Sequence, residues 1–143
     1  MARDSVTIQH TIGAGIDQVW AAVSAIGGLD KWFPLISACR VEGSGVGATR
    51  VCELVNGAVL HERVEAIDHA AKRFQYAITD SPLPLSNYLG TVSMTAADGG
   101  KTALTWTAEF DVDDAQRDEI KAMLTGALGE GVQGMARDLE GAG

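Results

Sequence analysis

The chain has 143 residues, 46% apolar and 21% charged, and its 11 Lys and Arg against 19 Asp and Glu give a net charge of −8. Those proportions read as one globular domain over residues 1–143, large enough for a real core. A charge of −8 with no basic patch repels phosphate, so neither nucleic acid nor a polybasic membrane anchor is an expected partner.

The elements follow in chain order. Val6, Ile8, His10 and Ile12 alternate with polar residues at the period of a half-buried strand. After Gly13-Ala14-Gly15, the spacing of Ile16, Val19, Trp20 and Val23 predicts a helix, and a second short helix is expected near Gly28 to Trp32, before Pro34. Strands are expected at 36–42 and 48–55, reversing through the glycine-rich Gly43 to Gly47 turn, and then at 58–67, 72–79, 87–96 and 102–111. A long helix is expected from about Asp114 to Leu139, with Asp113 and Gln116 as a capping box and one apolar face through Ile120, Leu124, Leu128 and Val132. This order gives an α+β architecture, a seven-stranded curved antiparallel sheet wrapped around a long C-terminal helix, with two short helices after the first strand.

Strand parity then assigns the interior. Leu60, Glu62, Val64 and Ala66 face inward from one strand, as do Phe74, Tyr76 and Ile78, then Tyr88, Gly90, Val92 and Met94, then Leu104, Trp106, Ala108 and Phe110. Cys52 and Leu54 join them, and His10 reads as a core histidine. Small residues on both sides, Gly90 and Ala108 facing Ala127 and Gly131, leave either a ligand cavity or a solid core with close backbone approach. Of the four glycines within the long helix, Gly131 is expected to face the cavity, and Gly126, Gly129 and Gly134 to make the middle turns pliant, each costing about 1 kcal/mol relative to Ala.

Glu62 carries the sharpest chemistry. A carboxylate on an apolar face either serves a ligand, as hydrogen-bond partner or general base, or pairs with Arg50, which parity also turns inward. Cys39 and Cys52 fall opposite each other if the turn centres between Gly45 and Val46, but no terminal apolar run suits a secretory signal, and the cytoplasmic location then expected favours free thiols. The histidines and cysteines show no metal-ligand spacing, so neither metal nor cofactor is expected. The apolar loop Pro82-Leu83-Pro84 is either a gate at a cavity mouth or a rigid hairpin tip.

Val19-Trp20, Trp32-Phe33-Pro34, Gly47-Ala48-Thr49-Arg50, Glu62-Arg63 with Asp68, and the run from Trp106 to Phe110 together resemble the START/Bet v 1-like superfamily, in its polyketide cyclase and lipid-transport branch. The stretch from Ile36 to Gly43, with Ser86-Asn87-Tyr88, is locally similar to plant abscisic acid receptors. The resemblance implies a helix-grip fold with a small hydrophobic ligand between sheet and C-terminal helix. It aligns Glu62 and Tyr88 with polar pocket residues, and Leu54, Tyr76, Ile78, Met123, Ala127 and Gly131 with pocket-lining positions; Phe33, Cys52 and Trp106 complete the expected lining. Phe33 stands where those receptors carry the lysine that anchors a carboxylate, so hormone sensing is not inherited. All four lysines fall at turns or polar faces, leaving Arg50 as the interior cation. The expected ligand is therefore neutral or phenolic and largely apolar, held by a carrier or sensor that is a monomer or homodimer. The alternative is a cyclase or aromatase using Glu62 and Tyr88 for proton transfer.

Overall fold

The computed structural model describes residues 1–142. Seven strands form one antiparallel sheet: β1 (Ala2–Ile12), β2 (Ile36–Glu42), β3 (Thr49–Leu54), β4 (Val59–Asp68), β5 (Arg73–Asp80), β6 (Leu85–Ala97) and β7 (Lys101–Val112), in the spatial order β1-β7-β6-β5-β4-β3-β2. Helix α1 (Ile16–Ser24) and a single 3-10 turn (Leu29–Lys31) connect β1 to β2, and helix α2 (Arg117–Ala142) ends the chain. The second short helix of the sequence reading is thus only that one turn. Helix α2 packs on β1, β7 and the 3-10 turn, burying Ile120, Leu124, Leu128, Val132, Met135 and Leu139. This is the helix-grip α+β fold, in which an amphipathic helix covers the apolar face of a curved sheet.

Local departures have local causes. Helix α2 starts at Arg117, three residues after the expected Asp114, because the amides of Gln116 and Arg117 turn back onto the carbonyls of Asp113 and Asp114; the Gln116 carbonyl accepts the first helical bond, from Ile120. The capping box therefore does not form. In β4 a bulge between Val64 and Ala66 resets the side-chain parity, so that Ile67, paired with Phe74, packs on the core in place of Ala66. His10 is exposed, against the core position expected for it, although it shares a face of the edge strand β1 with the buried Ile12.

Cys39 and Cys52 are direct cross-strand partners of β2 and β3 and are joined as a disulfide, which replaces the free thiols expected from sequence. The bond fastens the edge strand β2, whose one partner in the sheet, among the described residues, is β3. It closes a loop of sequence separation 13, for which chain entropy gives about 3 kcal/mol. Equilibrium urea unfolding with and without a phosphine reductant is expected to differ by up to about that amount. Superimposable curves, with reduction verified by mass, would show that the bond contributes nothing.

The glycines of α2 divide into two kinds. A Cβ on Gly131 would overlap the Phe33 ring, and one on Gly134 would overlap the Trp32 backbone, whereas Gly126, Gly129 and Gly141 face open space. Gly131 thus seats an aromatic ring and does not face the cavity. Gly134 lets the helix approach the Trp32 segment, a contact also held by Trp32 Nε1 donating to Asp138 Oδ2 at 3.0 Å. Close approach, not pliancy, is the reason for this pair of glycines.

Candidate ligand cavity

A cavity of about 100 Å³ lies between the sheet and α2. A single water needs roughly 10–15 Å³ on the same measure, so the space takes a small organic molecule. The sheet contributes Ile36 from β2, Leu54 from β3, Leu60 and Glu62 from β4, Tyr76 and Ile78 from β5, Tyr88 from β6 and Trp106 from β7. Met123, Leu124, Ala127 and Leu128 of α2 close it from the other side, and Leu29, Phe33, Leu35 and Leu83 complete it. At the rim Leu35 and Met123 are partly exposed, at 42% and 36%, and an adjoining cleft is lined by Leu83, Pro84, Ile120 and Met123. The Pro82 to Pro84 loop thus sits at the mouth of the cavity.

Phe33, Leu54, Glu62, Tyr76, Ile78, Tyr88, Trp106, Met123 and Ala127, all named from sequence, meet around this space. Cys52 does not, because its sulfur is bonded to Cys39, and Gly131 does not, because Phe33 covers it. The residues the sequence reading missed fall mostly in two places. Leu29 and Leu35 come from the connection between α1 and β2, which has no periodicity to read, and Ile36 is the first residue of β2. Leu124 and Leu128 were visible as the apolar face of α2 without any sign of which part of that face meets the void.

The polar groups form two connected sets. Arg50, 3% exposed, donates from Nε to Glu62 Oε1 at 2.5 Å and from Nη1 to the Ile26 carbonyl at 2.6 Å. Its guanidinium also lies over the Tyr76 ring, 5.0 Å from the centroid, a cation–π contact in a dry setting. Ile26 holds φ 75, a left-handed conformation costly for a β-branched residue, and this conformation accompanies its carbonyl's bond to Arg50. Arg50 Nη2 is buried without a partner among the described residues; Arg50 lines a separate chamber of about 10 Å³ beside Trp32 and Phe74, not the main cavity. The second set runs from Trp106 Nε1, which donates to Tyr76 Oη at 3.1 Å, to Tyr88 Oη, 2.9 Å from Tyr76 Oη.

Burial, assisted by the charge of Glu62, pushes the Tyr76 hydroxyl up to about 12. Burial, followed by the neighbouring Tyr76, holds Tyr88 well above its ordinary value of 10.0. Both are neutral hydroxyls at physiological pH. A folded-state value above the unfolded one means that stability is fully present below about pH 10 and is lost as the pH rises through 12, because the unfolded chain releases its protons first. These are the protein's two tyrosines, so absorbance at 295 nm reports them directly. Their ionisation is expected to lag free tyrosine and to coincide with falling urea midpoints above pH 10; native protein that ionises both at pH 10 would contradict their burial.

A family model described as polyketide cyclase / dehydrase and lipid transport matches residues 3–140. The chain belongs to this family. Solved structures share its fold at low identity. An uncharacterised Bacillus thuringiensis protein superposes with a TM-score of 0.84 at 20% identity, covering 95% of this chain and 98% of its own. The ZhuI aromatase/cyclase from Streptomyces sp. R1128 gives 0.84 at 17%, over 97% and 94%. Norcoclaurine synthase from Thalictrum flavum, solved with dopamine and hydroxybenzaldehyde, gives 0.79 at 16%, over 95% and 86%. No curated protein sequence matches the chain. As a member of the polyketide cyclase / dehydrase and lipid transport family, the chain has a helix-grip sheet in which no helix, among the described residues, is long and apolar enough to cross a membrane.

Proposed function

We propose that this protein binds a small, neutral, largely apolar ligand, polyketide-, lipid- or sterol-like, in the cavity between sheet and α2, as a carrier or sensor. The observation that carries the reading is the lining: aliphatic and aromatic side chains around Glu62 and two neutral tyrosine hydroxyls, with the interior cation already engaged by Glu62. An anionic ligand entering such a site would lose its hydration with no free positive charge to replace it. The same pairing weighs against the cyclase reading, because Glu62 Oε1 already accepts a hydrogen bond from Arg50 Nε.

Calorimetric titration with 4-propylphenol and with 4-propylbenzoate tests this reading. The phenol is expected to bind with a negative heat-capacity change, and the carboxylate at least about tenfold more weakly. Ala127→Phe, which fills the cavity from the α2 side, is expected to abolish phenol binding while leaving the fold intact by circular dichroism. Tighter binding of the benzoate would overturn the charge argument.

A further inference from the structure

The hydroxyl cluster in the cavity holds one more proton than it has acceptors for. Trp106 has a single N–H, and Tyr76 Oη receives it. Tyr76 and Tyr88 carry two hydroxyl protons between them, and their one O···O contact uses one of them, whichever tyrosine donates. If Tyr76 donates, the Tyr88 proton remains. If Tyr88 donates, Tyr76 accepts twice and its own proton remains. Among the described residues neither hydroxyl reaches a further acceptor: Glu62 Oε1 is taken by Arg50, and no hydrogen bond joins Glu62 to either tyrosine. Both rings line the cavity, and the remainder of its wall, apart from Glu62, is apolar. An O–H left without an acceptor in such a place is unfavourable, so the group is a directed, uncharged donor for a ligand acceptor.

We infer that the Tyr76–Tyr88 pair selects ligands by donating one hydrogen bond to an acceptor oxygen, and that the ligand presents a carbonyl to it inside an otherwise apolar envelope. This rests on the binding role proposed above and adds the functional group that the apolar lining alone does not specify. A carboxylate would satisfy the donor but meets the charge of Glu62 with no free cation; a hydrocarbon fills the volume and strands the proton. A neutral carbonyl satisfies both conditions.

The test uses two probes of one shape, acetophenone and α-methylstyrene, in which C=O is exchanged for C=CH2. Dissociation constants are compared after each is referred to the probe's own water-to-hexane partition, which removes the difference in their hydrophobicity. The ketone is expected to bind about tenfold more tightly on that scale. The infrared stretch of carbonyl-13C acetophenone is expected to lie below its hexane position when bound, and to return to it in the Tyr76→Phe/Tyr88→Phe variant. Equal partition-corrected affinities, or a bound stretch at the hexane position in the unaltered protein, would overturn the inference while the binding role stands. Failure of both probes and of 4-propylphenol to bind would overturn the binding role and this inference with it. If the double variant does not fold, the comparison in the unaltered protein still decides.

Discussion

Arg50→Met is expected to destabilise the protein by about 3–5 kcal/mol, whereas the double variant Arg50→Met/Glu62→Leu should lose far less. The single change strands the Glu62 carboxylate, 6% exposed, on an apolar wall and frees the Ile26 carbonyl, which sits on a strained residue. The double change removes both charges together and replaces them with side chains of similar volume, which in a low-dielectric interior is often neutral or stabilising. Urea unfolding of the two singles and the double, analysed as a thermodynamic cycle, checks this. Additive losses would mean that the pair does not act as a unit. Ligand binding adds a second readout: Glu62→Gln is expected to keep most of its affinity for 4-propylphenol if the pair is structural, whereas loss of binding would place Glu62 on the ligand.

The α2 glycines predict effects of opposite sign from one chemical change. Gly134→Ala should destabilise by about 1–3 kcal/mol, since the new methyl group meets the Trp32 backbone, which moves only if the whole segment or the helix moves. Gly131→Ala should do the same by displacing Phe33, and should weaken 4-propylphenol binding as well, because Phe33 is part of the cavity wall. Gly126→Ala and Gly129→Ala meet open space and should stabilise by up to about 1 kcal/mol each through helix propensity. Thermal and urea denaturation of the four variants measures this directly. A destabilising Gly126→Ala would show that the free turns serve some purpose beyond packing.

Most of the sheet was legible because it obeys period two between glycine- and proline-rich turns. That periodicity placed Arg50 and Glu62 on one face, where they are register partners, and put Tyr76 and Tyr88 on adjacent strands two residues out of register, within hydroxyl contact. What stayed hidden breaks periodicity or depends on distance. The bulge after Val64 inserts a residue that no pattern announces, and His10 is exposed although its parity matches that of the buried Ile12. The disulfide followed from register, but the argument from compartment pointed the other way. Gly131 and Gly134 could be counted in the sequence, yet their reason lies in Phe33 and Trp32, about a hundred residues upstream. The cavity wall contributed by Leu29 and Leu35 belongs to an aperiodic connection, and only the packed fold shows that it turns inward.

The proposed function requires a neutral apolar molecule in the space between the sheet and α2. Methyl-resolved NMR with saturating 4-propylphenol reads out that occupancy residue by residue. The expected result is a set of shift changes concentrated at Ile36, Leu54, Ile78, Met123 and Leu128, with Val46 and Val55 on the exposed turns unmoved. Shifts confined to exposed methyl groups, or none at saturation, would contradict it.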